Sequence, residues 1–152
     1  MNLRHLLSFG VAAIVSFGAH AQFKVGELNS YKAFPAFLDP YKKGWQLALD
    51  EINASGGVLG QKIEVISRED GGTPGDAVRT AEELIAREKV QILMGTFASH
   101  VGLAVSNLAN QRKVVFIAAE PLTDKIVWDN GNRYTFRLRP STYMQTAMLI
   151  PD

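Results

Sequence analysis

Cysteine is absent from the 152 residues. That excludes disulfides, thiolate nucleophiles and cysteine metal sites together. Histidine is scarce: His5, His20 and His100 are the three in the chain, and they are scattered. No metal site of the usual His/Cys kind is expected from such a set. Excess charge is missing too, since 16 Lys and Arg balance 15 Asp and Glu to a formal net charge of +1. Nothing electrostatic therefore points to nucleic acid or an anionic membrane as partner.

The usual catalytic signatures are also lacking. There is no G-x-S-x-G elbow, no phosphate loop ending in Gly-Lys-Ser/Thr and no G-x-G-x-x-G after the first strand. Gly56-Gly57-Val58-Leu59-Gly60 follows a helical pattern, so it is no dinucleotide turn. His100 adjoins Ser99, but neighbours on a helix point in different directions, and no third group completes a triad. The expectation is a protein that is not an enzyme and needs no cofactor and no metal.

What remains is ordinary globular composition, 47% hydrophobic and 20% charged, with length for one domain core. Residues 1–21 read as a signal peptide. Arg4 and His5 form a short basic start, Leu6–Phe17 is apolar, and Ala19-His20-Ala21 fits the small-x-small cleavage rule. The apolar stretch is short and glycine-interrupted for a membrane span. Cleavage is expected after Ala21, giving a mature chain from Gln22 in a bacterial periplasm, with no cysteine for a lipid anchor.

The chain is organised around Val90–Ala109. An apolar run, Val90–Met94, suits a strand covered on both faces. Gly95-Thr96-Phe97-Ala98-Ser99 breaks it, and Val101, Ala104, Val105, Leu108 and Ala109 then recur at helical spacing. Such a strand–turn–helix puts small residues at a strand's carboxyl end, where open α/β sheets bind ligands. Ser99 reads either as a helix N-cap or as a ligand contact beside backbone N–H groups that favour a carboxylate.

Around this unit the pattern predicts strands Phe23–Leu28, Ile63–Ser67, Val114–Ala118 and Tyr134–Leu138. Helices are expected from Asp39-Pro40, with Tyr41, Trp45, Ala48, Leu49 and Ile52 inward, and over about Asp76–Glu88, with Val78, Ala81, Leu84 and Ile85 inward. A further helical pattern starts at Ser141. Asn29–Asp39 reads as an aromatic-rich loop, and Asp70 as a solvated loop acid, with a cap or a ligand contact as its alternatives. Ala119-Glu120-Pro121-Leu122-Thr123-Asp124 is a second candidate binding loop. Strands alternating with helices give an α/β fold, a parallel sheet with helices on both faces.

Gly44-Trp45-Gln46-Leu47-Ala48-Leu49-Asp50-Glu51-Ile52-Asn53-Ala54-Ser55-Gly56-Gly57-Val58-Leu59-Gly60 resembles the signature of type I periplasmic binding proteins. The nearest group is the leucine/isoleucine/valine-binding family of ABC transporters, and the likeness extends from Phe23 to about Leu149. It implies a two-lobed protein closing on a small ligand, an amino acid or another carboxylate, and delivering it to an ABC permease in the inner membrane. It also implies ligand contacts from Ala98 and Ser99 (α-carboxylate), from the Ala119–Leu122 loop, and from Phe37 against the ligand side chain. Two positions depart from the pattern: Glu120 stands where a small residue is usual, and Leu122 where a threonine is expected, with Thr123 one residue on as substitute. The family's chains are well over twice this long, so residues 22–152 are expected to be an N-terminal lobe that stops before the second lobe. A ligand-sensing module of the same fold, or a binder of a non-amino-acid carboxylate or amide, are the alternatives.

Overall fold

The computed structural model describes residues 22–150; the expected signal peptide and cleavage point lie outside them. Strands β1 (Phe23–Asn29), β2 (Ile63–Glu69), β3 (Ile92–Gly95), β4 (Val115–Ala118) and β5 (Thr135–Arg137) alternate with helices α1 (Pro35–Ala54), α2 (Pro74–Ala86) and α3 (Ser99–Arg112). A short 3-10 turn, Asp124–Ile126, precedes β5, and α4 (Thr142–Leu149) follows it. All pairings are parallel, in the order β2-β1-β3-β4-β5. The α/β architecture expected from the alternation is the one observed.

Period-two alternation sorts the strand residues onto two faces. Leu28, Leu93, Phe116 and Ala118 point to the face covered by α2 and α3, where Ala77, Ala81, Leu84, Val101, Val105, Leu108 and Ala109 complete a buried core. Gly26, paired with Leu93, lies on the same face, and a Cβ there would crowd the Leu93 and Val90 side chains at 3.1 Å. The opposite residues, Val25, Ile63, Val65 and Met94, line a groove with Trp45, Ala48, Leu49 and Ile52 of α1. That groove is open. Leu38 alone is buried in α1, while Ala48 is exposed and Ile52 is 39% exposed. The inward face expected for this helix is therefore only half covered.

The start of α1 also differs from expectation. Pro35, not Pro40, takes the first helical position, where its fixed φ suits the helix and its missing N–H costs no bond. Pro40 lies inside the helix. The N–H it lacks would have served the carbonyl of Ala36; both residues are exposed, so water can take that carbonyl. Asp39 is accordingly no cap.

The family-like signature has a structural role. The Asn53 side-chain amide donates to the Ile63 carbonyl and accepts the Ile63 N–H, both at 2.8 Å, seating the end of α1 on the start of β2. Gly57 turns the chain back with φ +79°, and a Cβ there would fall 2.0 Å from the Gln61 carbonyl oxygen. Only glycine fits both demands.

Candidate functional site

The carboxyl ends of five parallel strands converge on one edge, and every residue expected to bind ligand lies in a connection leaving that edge or in the first turn of the helix it leads into. Asp70, at the end of β2, is fully buried instead of solvated: its Oδ1 accepts the Ser30 hydroxyl at 2.6 Å and the Gly72 N–H at 2.8 Å. It is a strut joining the loops after β1 and β2, not a surface acid.

At the β3–α3 turn, Ala98 occupies the N-cap position and Ser99 is the first helical residue. Alanine has no side chain with which to cap, so the first N–H groups of α3 carry no side-chain partner. The Ser99 hydroxyl turns elsewhere and accepts the backbone N–H of Thr123 at 3.2 Å. The N-cap alternative for Ser99 is thus excluded, and the two candidate binding loops are in direct contact.

The loop after β4 is held from behind. Ala119 is buried and its N–H donates to the Gly95 carbonyl at 2.7 Å, so that donor is already committed. Leu122 presents its carbonyl to Arg137 Nη1 at 3.3 Å and to the backbone N–H of Thr142 at 2.9 Å. Arg137 Nη2 donates to the Thr123 carbonyl. Glu120 pairs with Arg139. Burial pulls the Arg137 guanidinium below its ordinary value, and the nearby Asp124 carboxylate opposes that shift.

Phe37, the aromatic that the family likeness implies, lies in the first turn of α1 and is 67% exposed. It does not stand alone. The Phe97 ring, from the β3–α3 turn, lies 4.6 Å from Phe34 and 5.6 Å from Phe37, centroid to centroid. Phe97 and Arg137 are the residues that sequence reasoning missed. An aromatic in a glycine-containing turn was a signal for the first; nothing in the β5 pattern marked the second.

A polar cluster lies at the carboxyl end of β1, on the α1 side of the sheet. Glu27 is fully buried; its Oε1 accepts Tyr31 OH at 2.9 Å and Asn29 Nδ2 at 3.2 Å, and its Oε2 accepts the Ser67 hydroxyl at 2.6 Å. Burial pushes its carboxyl above the ordinary value of 4.5, against the lowering effect of those donors and of Lys42. Trp45 Nε1 reaches Tyr31 OH at 3.4 Å, and burial raises the Tyr31 and Tyr41 phenols. Among the described residues, no cluster of His, Cys, Asp and Glu is suited to a metal ion.

Known proteins carry the same architecture. A family model described as periplasmic binding protein matches residues 30–151. A Leu/Ile/Val-binding protein homolog from Brucella suis is 34% identical over 140 residues, covering 90% of this chain and 35% of its own. The chain thus spans about a third of the length of the curated relatives it matches. The branched-chain amino acid transporter substrate binding protein LivJ from Streptococcus pneumoniae, in complex with isoleucine, superposes with a TM-score of 0.73 at 27% identity, covering 80% of this chain and 34% of that one. An ABC transporter solute binding protein from R. palustris, in complex with benzoate, gives 0.70 at 26% identity, covering 80% and 33%. The match to the family model over residues 30–151, most of its length, makes this chain a member of the periplasmic binding protein family.

Proposed function

We propose that the chain is the N-terminal lobe of a solute-binding protein that serves an ABC importer in the bacterial periplasm. It captures a branched-chain or related amino acid by closure against a second lobe, with no chemistry on the ligand. The carrying observation is the start of α3: helix N–H groups without a side-chain cap, beside Ser99 and within reach of the loop it bonds. Free N–H groups and the positive end of a 14-residue helix favour a carboxylate. Exposed Phe37 supplies apolar surface for the rest of the ligand. Among the described residues no helix is long and apolar enough to cross a membrane, which suits a protein that meets its permease from outside the bilayer.

The departures in the Ala119–Leu122 loop favour a second reading, a carboxylate without an ammonium group. The benzoate-bound and isoleucine-bound neighbours resemble this chain to nearly the same degree, 26% and 27% identity, and Glu120 and Leu122 replace the expected small residue and threonine.

Titration of the isotope-labelled chain with isoleucine and with benzoate, followed by amide NMR, tests the proposal. Millimolar ligand should move the Ser99, His100, Val101 and Thr123 amides. Binding should be weak, because closure buries most of a small ligand's surface and one lobe offers only part of it. Silence at these amides with both ligands refutes the reading; a submicromolar dissociation constant refutes the half-site.

A further inference from the structure

We infer that Phe97 is the specificity-determining residue of this site and that the ligand it selects is a carboxylate bearing an aromatic ring. This rests on the solute-binding reading above and narrows its ligand class.

Phe97 stands two residues before Ser99, between the end of β3 and the uncapped start of α3. Its ring bridges Phe34 and Phe37, with centroids 4.6 and 5.6 Å away and planes tilted by 32° and 34°. Three rings from two separate segments thus form one wall. Phe34 is 38% and Phe37 67% exposed, so the wall is not closed off by the core. A ligand whose carboxylate meets the α3 N–H groups places its adjoining group against this wall. Offset or tilted ring contacts favour a flat aromatic group over an aliphatic one of equal area.

The opposite loop points the same way. An α-ammonium needs acceptors, and the carbonyls of Leu122 and Thr123 are both occupied by Arg137, with Thr142 also on Leu122. The Glu120 carboxylate is engaged by Arg139. An ammonium bonded there would sit beside a guanidinium already on the same acceptor and meet its like charge; a carboxylate with no ammonium would not.

Three probes separate the possibilities: benzoate, cyclohexanecarboxylate of the same outline without the π system, and isoleucine. Amide NMR titrations of the chain should rank benzoate about fivefold tighter than cyclohexanecarboxylate, the size of an added ring contact, and tighter still than isoleucine. Phe97→Leu should remove the preference between the two ring acids while Phe97→Tyr keeps it; the Tyr variant guards against misfolding in the Leu one. If isoleucine binds as tightly as benzoate or more so, the inference is overturned and the solute-binding reading stands, with Glu120 taking the ammonium. Equal affinity for the two ring acids in the unaltered chain also overturns it. If none of the three moves the Ser99–Val101 amides, both readings fall together.

Discussion

The Ser99 hydroxyl accepts the Thr123 backbone N–H at 3.2 Å across 24 residues of sequence. This contact fixes the turn after β3 to the loop after β4. It also leaves the hydroxyl proton free to donate to a ligand oxygen, since a serine oxygen can accept and donate at once.

Ser99→Ala should therefore act on the loop first. The unpaired Thr123 N–H should exchange with solvent faster, and thermal unfolding should register a loss of about 1 kcal/mol. Carboxylate affinity should fall with it. Unchanged exchange at Thr123 would show that the loop is held by Arg137 alone.

Ala98→Asp should separate stability from binding. Ala98 already has the extended backbone of an N-cap, φ −76° and ψ 135°. An aspartate there can accept the free N–H groups of α3 and should stabilise the chain by about 1 kcal/mol. The same carboxylate would occupy the position proposed for the ligand's, so NMR-detected binding should disappear. A variant that is more stable and still binds would place the ligand elsewhere.

Gly95→Ala should be the most damaging single change in the turn. Gly95 has φ +124°, and a Cβ would lie 2.0 Å from the Leu28 carbonyl oxygen. Neither atom can yield, because both belong to paired backbone in β3 and β1. A cost of about 3 kcal/mol is expected from overpacking together with the disfavoured φ, read as a lowered urea midpoint or as insoluble product.

Glu27 should give the chain a pH-dependent stability. The folded state holds this proton more tightly than the unfolded chain, whose carboxyl titrates near 4.5. Its contribution is therefore fully present below pH 4.5 and is lost as pH rises through the raised folded value. Urea midpoints should decline over that range. Glu27→Gln should flatten the decline and exceed the unaltered chain at neutral pH, since the amide can still accept from Tyr31 and donate to Ser67. A variant weaker at neutral pH with the same slope would mean that three donors outweigh burial.

Much of this protein was legible because it is written in local pattern. The apolar runs Val90–Met94 and Val114–Ala118 located the parallel strands β3 and β4. The cover on both faces that such runs imply is complete only on the α2–α3 side, since alternate residues facing α1 are half-buried. The spacing Val101, Ala104, Val105, Leu108 and Ala109 identified the inward face of α3; four of the five are buried and Ala104 is half-buried. The Asn53–Gly57 signature carried the family because its residues answer local backbone demands, a turn at positive φ and an amide for Ile63.

What the chain's pattern could not show depends on partners distant in sequence. Asp70 looked like a loop acid because Ser30, which buries it, is 40 residues away. The α1 start was misplaced because two prolines each satisfied the same local rule, and the placing of Phe34 against Phe97 accompanies the earlier one. Arg137 had no signal at all, since its role is to meet carbonyls that only the packing of β5 beside β4 brings within reach. The sequence by itself determined the elements, the sheet's parallel sense and the turn at Gly95–Ser99. The tertiary structure decided that Ser99 reaches Thr123 and not its own helix, because hydrogen-bond partners are chosen by distance in space and the fold alone sets that distance.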